Sequence, residues 1–334
     1  QMCIRDRSIV MLFNVCALYI KIMNNENQTI HKSNDNLTIY GWNEKLNQLK
    51  QESIYSTLAH GRVSIVHRTC YEVISGNGLF QCELTGNMMY GKSDDELPCT
   101  GDWVIFQPFD EHKGIIVDSL PRERTLYRKK SGTVADKQVI ASYVDKAFIV
   151  QSLDDNFNVR RVERFMVQIM EENISSVLVL NKADLDFDRQ SVEEQIKHIS
   201  SQIPVFFTSI HQLETIVRLR KSISEGETVV FVGSSGVGKS SLVNALCEKP
   251  VLLTSDISLS TGKGRHTSTR REMVLMDSSG VLIDTPGVRE FGLAIDNPDS
   301  LAEVLEISDY AESCRFKDCK HINEPGCAVL EAVN

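Results

Sequence analysis

The sequence predicts three folded parts: an all-β barrel, an α/β domain with a parallel sheet, and a small metal-binding domain at the C-terminus. Three observations support this fold class. Five short strand-like segments fill residues 54–120, strands alternate with helices over residues 135–295, and cysteine and histidine residues cluster between positions 314 and 327. Alternating strands and helices are typical of a parallel sheet that helices cover on both faces.

The composition is that of an ordinary folded protein with several domains. The chain has 334 residues, of which 42% are hydrophobic and 24% charged, and its formal net charge is −9. This length suits two or three domains. The acidic balance excludes a polycation that binds nucleic acid through its bulk charge. The nine cysteines do not form the pattern of a disulfide framework, so we expect a reducing compartment, the cytoplasm.

Residues 1–53 are interpreted as a polar N-terminal tail. Its apolar run, Ile9–Ile20, is too short to cross a membrane and is interrupted by Asn14. No small-residue cleavage site follows the run, so we interpret it as an extension upstream of Met23, the expected initiator; an export signal is the alternative. We expect the tail to be partly disordered, with a short helix around residues 42–49, and we expect no membrane association.

The five strand-like segments of residues 54–120 predict an OB-fold that binds RNA. A small β-domain without a binding role is the alternative, because a fold does not by itself imply a function. Residues 121–134 are predicted to be a basic linker. The segments are GRVSIVHR, CYEVISGNG, LFQCELTG, GDWVIFQP and GIIVDSLP.

In the next domain, residues 135–295, strand and helix patterns alternate. Residues 158–173 are predicted to be a helix because Val162, Phe165, Met166, Ile169 and Met170 follow a helical spacing. A second helix is predicted at RQSVEEQIKHISSQ. Strands are predicted at KAFIVQS, SSVLVL, IPVFFTS, ETVVFVG and SSGVLIDTPG.

The segment GSSGVGKS fits the phosphate-binding pattern G-x-x-x-x-G-K-[ST], and it follows a predicted strand and opens a predicted helix. Backbone amides of such a loop surround phosphate oxygens. Lys239 is expected to reach the β and γ phosphates, and Ser240 to bind Mg²⁺. The predicted nucleotide-binding residues of this segment are Gly233, Ser234, Ser235, Gly236, Val237, Gly238, Lys239, Ser240 and Ser241.

A second motif, D-x-x-G, follows the last apolar strand. Asp284 is expected to hold the water shell of Mg²⁺, and the amide of Gly287 to bind the γ-phosphate. The metal would neutralise charge on the transferred phosphoryl group. Asp284 and Gly287 are therefore grouped with Lys239 as catalytic candidates.

The choice of base is predicted from Asn181-Lys182-Ala183-Asp184, which reads N-K-x-D at the end of a strand. The Asp184 carboxylate can accept hydrogen bonds from N1–H and N2–H₂ of guanine, a donor pair that adenine lacks. Asn181 can contact the Hoogsteen side of the ring, and the stem of Lys182 can lie on the base. Ser209, which ends the next strand, is expected to support the base. These residues predict GTP rather than ATP.

The order of these motifs is unusual, because the base-reading loop precedes the phosphate loop, whereas ordinary GTPases start at the phosphate loop. We interpret the domain as a circularly permuted P-loop GTPase domain. Such a permutation is tolerated because the two ends of a domain often lie close together. The first switch is expected at Thr261–Glu272, where Thr267 or Thr269 would complete the Mg²⁺ shell.

Val288 occupies the position after the D-x-x-G glycine, where a Ras-like GTPase has its catalytic glutamine. Valine cannot orient water, so we expect a low intrinsic rate of hydrolysis. His266 is a candidate to supply the missing group. An RNA contact or an exposed loop position is the alternative for His266.

These motifs and their order resemble the ribosome small-subunit-dependent GTPase A family from about Tyr40 to the end of the chain. The resemblance implies an OB-fold, a circularly permuted GTPase domain and a zinc-binding C-terminal domain. It also implies hydrolysis of GTP to GDP in late maturation of the small ribosomal subunit, with binding to its rRNA and stimulation by the subunit. The segments that carry the resemblance are YGWNEKL, GDWV, QVIASYVD, GSSGVGKSSLVNAL, GKGRHTSTR, DTPGVREFG and CRFKDCKHINEPGCAV.

The same resemblance makes Cys314, Cys319, His321 and Cys327 the ligands of one structural Zn²⁺. Their spacing, C-x₄-C-x-H-x₅-C, offers three thiolates and an imidazole, a set that suits tetrahedral zinc with no open position. We assign residues 296–334 to this domain and expect it to be truncated at Asn334.

Two other functions remain open at this point. A GTP-gated RNA- or protein-binding scaffold would need no efficient hydrolysis of GTP. This agrees with a valine at position 288, which cannot orient water. A P-loop ATPase or kinase would bind ATP. A monomer is expected in each case.

Overall fold

The structure is a computed structural model that describes most of the predicted barrel and α/β domain. The described residues are 37–129, 137–154, 157–247, 272–276, 280–284, 313–316, 319 and 326–328. None of the helices in these ranges has the length and hydropathy of a membrane span.

The described chain begins with a 3₁₀ helix, Leu37–Tyr40, and helix α1, Glu44–Glu52. The side chain of Asn43 caps α1 by accepting a hydrogen bond of 3.1 Å from the amide of Leu46. Leu37, Tyr40 and Leu46 are buried in the largest hydrophobic core. This end of the polar tail is therefore packed against the rest of the fold.

A closed five-stranded barrel follows. Its strands and helix are β1 (Ala59–Val66), β2 (Tyr71–Ser75), β3 (Gly78–Leu84), α2 (Gly86–Gly91), β4 (Trp103–Asp110) and β5 (Lys113–Ser119). The strand order is β1-β2-β3-β5-β4, and β4 pairs back with β1 to close the barrel. Strands β3 and β5 are parallel, whereas the other pairs are antiparallel. Val63, Val73, Phe80, Phe106 and Ile116 fill the inside. The predicted OB-fold is confirmed.

The segment predicted to be a basic linker contains a strand. β6 (Leu126–Lys129) pairs with β7 (Lys137–Ala141) as an antiparallel ladder separate from the main sheet. Its first residue, Leu126, is fully buried. The basic composition of the segment did not reveal this strand.

The α/β domain contains six strands of the main sheet and five helices in the described ranges. Its strands are β8 (Lys146–Ser152), β9 (Ser175–Asn181), β10 (Val205–Thr208), β11 (Thr228–Val232), β12 (Glu272–Leu275) and β13 (Val281–Asp284). Its helices are α3 (Val159–Glu171), α4 (Arg189–Gln195), α5 (Lys197–Ser200), α6 (Leu213–Lys221) and α7 (Lys239–Leu246).

Helix α3 shows how the pattern in the sequence produces the packing. Asn158 caps it by accepting a hydrogen bond of 3.1 Å from the Arg161 amide. Four of the five apolar residues predicted at helical spacing are buried, whereas Met170 is 40% exposed at the end of the helix. The buried ones belong to the largest core, on one face of the sheet. Residues of α6 and α7 belong to a second core, which covers alternate residues of the same strands.

The strand order confirms the circular permutation. The sheet runs β10-β9-β8-β11-β13-β12, with β12 antiparallel and the others parallel. Strand β11, which leads into the phosphate loop, lies in the middle of this sheet but follows β8, β9 and β10 in sequence. Strand β12 also pairs with β1, through Ile65 and Glu272, so the barrel and the α/β strands form one continuous sheet.

Candidate nucleotide site

The ends of the parallel strands bring the predicted motifs to one edge of the sheet. The register places Asn181 between Ser152 of β8 and Thr208 of β10. On the other side of β8, β11 ends at Val232 and continues into the phosphate loop. Asp284 is the last residue of β13, which is the neighbour of β11. Ligands of open α/β sheets bind at this carboxyl edge.

The phosphate loop uses backbone conformations that favour glycine. Gly233, Gly236 and Gly238 have φ angles of 148°, 83° and 94°. A Cβ on Gly238 would lie 2.3 Å from Nδ2 of Asn181, so only glycine allows this close approach. Helix α7 begins at Lys239 with no side-chain cap among the described residues. Its first amides can therefore bind an anion.

The Lys239 ammonium lies inside this loop. Its Nζ donates hydrogen bonds of 2.7 Å to the carbonyl oxygens of Gly233 and Ser234. Ser240 and Ser241, in the first turn of α7, are half-buried, whereas Ser235 and Gly236 are exposed. The positive charge is thus held within a loop that opens to solvent, as a phosphate-binding site requires.

Asn181 connects the base-reading loop to the phosphate loop. Its side chain is buried; Nδ2 donates to the carbonyl oxygen of Val237 at 2.8 Å, and Oδ1 accepts from the Thr208 hydroxyl at 3.3 Å. The Ala183 amide donates to the Thr208 carbonyl at 3.0 Å. Sequence reasoning gave Asn181 a contact with the base, and the structure adds this bond between the two loops.

Lys182 forms an ion pair that the sequence motifs did not reveal. Its Nζ lies 2.7 Å from Oδ2 of Asp154, and the hydroxyl of Ser152 donates to the other oxygen, Oδ1, also at 2.7 Å. Lys182 has a φ angle of 62°, in the left-handed region that residues other than glycine rarely adopt. Ser152, the last residue of β8, and Asp154, two positions further on, therefore help to fix the N-K-x-D loop.

Asp184 is exposed and poised to accept hydrogen bonds. A hydrogen bond from the Ser209 side chain is the main cause of a lowered pKa of its carboxyl, and the nearby His211 and Lys182 act in the same direction. Ser209 is itself buried, and its amide donates to the Thr215 hydroxyl at 3.0 Å. The carboxylate form, which guanine recognition needs, is thus favoured, and Ser209 lies beside Asp184.

The cysteines near the C-terminus come together as expected. The Sγ atoms of Cys314, Cys319 and Cys327 all lie within 4.8 Å of one another, and those of Cys314 and Cys327 are 3.9 Å apart. Ligands about 2.3 Å from a tetrahedral zinc lie about 3.8 Å from each other. A disulfide would need about 2 Å. The three thiols therefore fit a shared zinc ion.

Several candidates lie outside the described residues: His266, Thr267, Thr269, Gly287, Val288 and His321. Sequence reasoning, in turn, missed Ser152 and Asp154. A serine that ends a buried strand and an aspartate two residues later are a signal of a strand-end site, but only the strand order shows that β8 lies beside β9.

Comparisons with known proteins identify a matching family and relatives of this chain. The family model described as RsgA GTPase matches residues 119–294. A Bacteroides thetaiotaomicron protein named small ribosomal subunit biogenesis GTPase RsgA 1 is 75% identical over 301 residues, which cover 90% of this chain and 85% of that protein. A Methanosarcina acetivorans protein named small ribosomal subunit biogenesis GTPase RsgA is 39% identical over 322 residues, which cover 93% and 85%.

Two solved structures are similar in fold. The crystal structure of YjeQ from Thermotoga maritima has a TM-score of 0.60 and 26% identity, covering 82% of this chain and 91% of that one. The structure of YloQ, described as a circularly permuted GTPase, has a TM-score of 0.59 and 22% identity, covering 84% and 90%. The second likeness supports the fold alone.

Proposed function

Because this chain belongs to the RsgA GTPase family, we propose that it binds GTP and hydrolyses it to GDP in the late maturation of the small ribosomal subunit. The observation that carries this proposal is the bond between Asn181 and the carbonyl of Val237. Through it, one edge of the sheet holds a guanine-reading loop and a phosphate loop as a single unit. Such an arrangement suits a nucleoside triphosphate that contacts both loops.

We assign the site residues the roles that their motifs predict. Asn181, Lys182, Ala183, Asp184 and Ser209 bind the base. The phosphate loop, Gly233–Ser241, binds the phosphates. Ser240 holds Mg²⁺, with Asp284 in its outer shell and Thr267 as a further ligand. Mg²⁺ neutralises charge on the phosphates when it is bound.

We assign catalytic roles to Lys239, Asp284 and Gly287, and we propose His266 as the group that activates water. The Lys239 ammonium is already positioned by the carbonyls of the loop, so its charge can stabilise the transferred phosphoryl group. Val288 cannot orient water. We therefore propose slow intrinsic turnover and stimulation by the small ribosomal subunit and its rRNA.

The remaining parts of the chain have supporting roles in this proposal. Residues 54–120 bind rRNA as an OB-fold, residues 135–295 are the GTPase domain, and residues 296–334 bind zinc through Cys314, Cys319, His321 and Cys327. The tail, residues 1–53, and the linker, residues 121–134, connect or extend these domains. We propose a monomer that works in the cytoplasm.

The test measures GTP turnover by the purified chain with and without purified small ribosomal subunits. Stimulation by the subunit is the expected result, and an unchanged rate would overturn the proposed activity in favour of a GTP-gated scaffold. Competition between ATP and GTP for the site tests the assignment of Asp184. We expect GTP to displace a bound guanine nucleotide and ATP to fail at the same concentration.

A further inference from the structure

The ion pair between Lys182 and Asp154 lies within the candidate nucleotide site, at the carboxyl edge of the sheet. It joins the end of β8 to the base-reading loop after β9, over an Nζ–Oδ2 distance of 2.7 Å. Asp154 is fixed from its other side, because Ser152, which is fully buried, donates to Oδ1 at 2.7 Å. One carboxylate oxygen is thus used to fix the aspartate, and the other faces the lysine.

The backbone around Lys182 is also held by several contacts. The Leu153 amide donates to the Asn181 carbonyl at 2.9 Å, and the Ala183 amide donates to the Thr208 carbonyl at 3.0 Å. Between these two bonds, Lys182 has a φ angle of 62°. Such a conformation is unfavourable for a residue other than glycine and persists where the surroundings impose it. Both the backbone and the ammonium of Lys182 are therefore held in place.

A surface ion pair alone does not account for this arrangement. The side chains of Lys182 and Asp154 are 35% and 24% exposed, and partly exposed ion pairs contribute little to the stability of a fold. A free lysine side chain, however, loses rotamer entropy when its stem is immobilised on a ligand. Fixing the ammonium in advance lowers this cost of binding.

We propose that Asp154 is a positioning residue for guanine nucleotide binding. It holds the ammonium of Lys182 to one side, so that the apolar stem of the lysine can cover the purine ring bound between Asn181 and Asp184. Ser152 orients Asp154 for this task. This inference rests on the proposed function, because it assumes that the N-K-x-D loop binds a guanine base.

An ion pair at the opposite end of β8 provides a matched control. Lys146, the first residue of β8, pairs with Glu227 at 2.6 Å, with side chains 21% and 27% exposed. This ion pair resembles that of Lys182 and Asp154 in length and exposure, but it lies at the amino end of the sheet. If ion pairs merely stabilise the fold, Asp154→Ala and Glu227→Ala will behave alike.

The experiment measures the dissociation constant of a fluorescent GDP analogue for the full chain and for Asp154→Ala, Lys182→Ala, the double variant and Glu227→Ala. We expect Asp154→Ala to weaken binding about 3- to 10-fold, the loss that about 1 kcal/mol of preorganisation predicts. Glu227→Ala should bind like the wild type. In the Lys182→Ala background, Asp154→Ala should cause no further loss, because Asp154 acts through Lys182.

Each remaining outcome is decisive. Unchanged binding by Asp154→Ala, an equal loss in the Lys182→Ala background, or an equal loss in Glu227→Ala would overturn the inference. Failure of the wild-type chain to bind GDP would instead overturn the proposed function. Asp154→Asn keeps an acceptor for Ser152 and removes the charge. It should fold as the wild type does and still bind GDP more weakly, and wild-type affinity in this variant would also overturn the inference.

Discussion

The Arg62 guanidinium donates a hydrogen bond of 2.8 Å to the hydroxyl of Thr228, and this bond joins the barrel to the first residue of β11. Arg62 is 1% exposed, and it also donates to the carbonyl oxygens of Tyr40, Gly101 and Tyr143. One side chain therefore holds the N-terminal segment, the barrel and the α/β domain together. The other end of β11 leads into the phosphate loop.

Replacement of Arg62 by methionine is expected to lower the free energy of unfolding by about 2–4 kcal/mol, because each buried acceptor left without a donor costs about 1–3 kcal/mol. Urea titration followed by circular dichroism measures the change. Arg68→Ala is the control, since Arg68 is an exposed residue of the same barrel. A loss below about 1 kcal/mol in Arg62→Met would show that the acceptors find other donors.

The lowered pKa of His60 predicts that the free energy of unfolding depends on pH. Its ring packs against Trp42, with centroids 4.2 Å apart, and burial, assisted by the charge of Lys50, lowers its pKa from 6.5 to about 4. The unfolded chain therefore binds this proton more readily than the folded chain. Stability due to neutral His60 is fully present above about pH 6.5, declines as the pH falls from 6.5 towards the folded-state pKa of about 4, and is gone below that value.

The measurement compares the unfolding free energies of wild type and His60→Phe at pH 7.5 and at pH 4.5. Between these values the wild type should lose about 2–3 kcal/mol more than the variant, since a shift of one pKa unit corresponds to about 1.4 kcal/mol. His112→Asn, an exposed replacement in the barrel, should follow the wild type. Identical pH profiles for wild type and His60→Phe would contradict the assignment.

Two glycines of the phosphate loop are expected to differ in their tolerance of alanine. Both have positive φ angles, 94° at Gly238 and 83° at Gly236, but only the Cβ on Gly238 would meet another atom, Nδ2 of Asn181 at 2.3 Å. The described surroundings of Gly236 leave open space within 4 Å. Gly236→Ala therefore carries only the strain of the left-handed conformation, about 1–2 kcal/mol.

Gly238→Ala should cost at least about 1 kcal/mol more than Gly236→Ala, because it also forces Asn181 out of its bond to Val237. Thermal unfolding of the nucleotide-free protein measures both variants without interference from phosphate contacts. Equal melting temperatures would show that the Asn181 side chain moves aside without loss.

The cysteine cluster predicts the effect of removing one thiol. Cys319→Ser should release zinc, because hydroxyl oxygen is a much weaker zinc ligand than thiolate sulfur. Elemental analysis of the purified protein measures zinc per chain. Cys82→Ala is the control, since the Cys82 thiol is fully buried inside the barrel, where burial raises its pKa to about 12. Zinc content that survives in Cys319→Ser would remove Cys319 from the ligand set.

Local motifs made much of this site predictable. The phosphate loop and the N-K-x-D loop are short, contiguous patterns at strand ends, so their positions follow from the sequence once the strands are recognised. Lys239 and Asn181 accordingly lie at the same edge of the sheet. The OB-fold was also predictable, because each of its strands is bounded by turn residues.

Contacts between distant segments were not predictable in this way. Asp154 is 28 residues from Lys182, and Arg62 is 166 residues from Thr228. These pairs depend on strand order and on the packing of the barrel, which no local pattern in the sequence records. Strand β6 was missed for a related reason: its basic residues indicated a linker, whereas pairing with β7 makes it a strand.

Lys239→Ala is expected to remove nucleotide binding and leave the fold intact. The Lys239 ammonium donates hydrogen bonds to carbonyl oxygens of its own loop, those of Gly233 and Ser234. Loss of charge-assisted bonds to phosphates, each about 1.5–3 kcal/mol, should weaken GTP binding by at least about 100-fold. Lys221→Ala makes the same change of charge at an exposed position of α6 and should bind GTP normally. Isothermal titration with GTP, together with circular dichroism, separates binding from folding. Retained affinity in a folded Lys239→Ala protein would mean that the loop amides alone hold the phosphates.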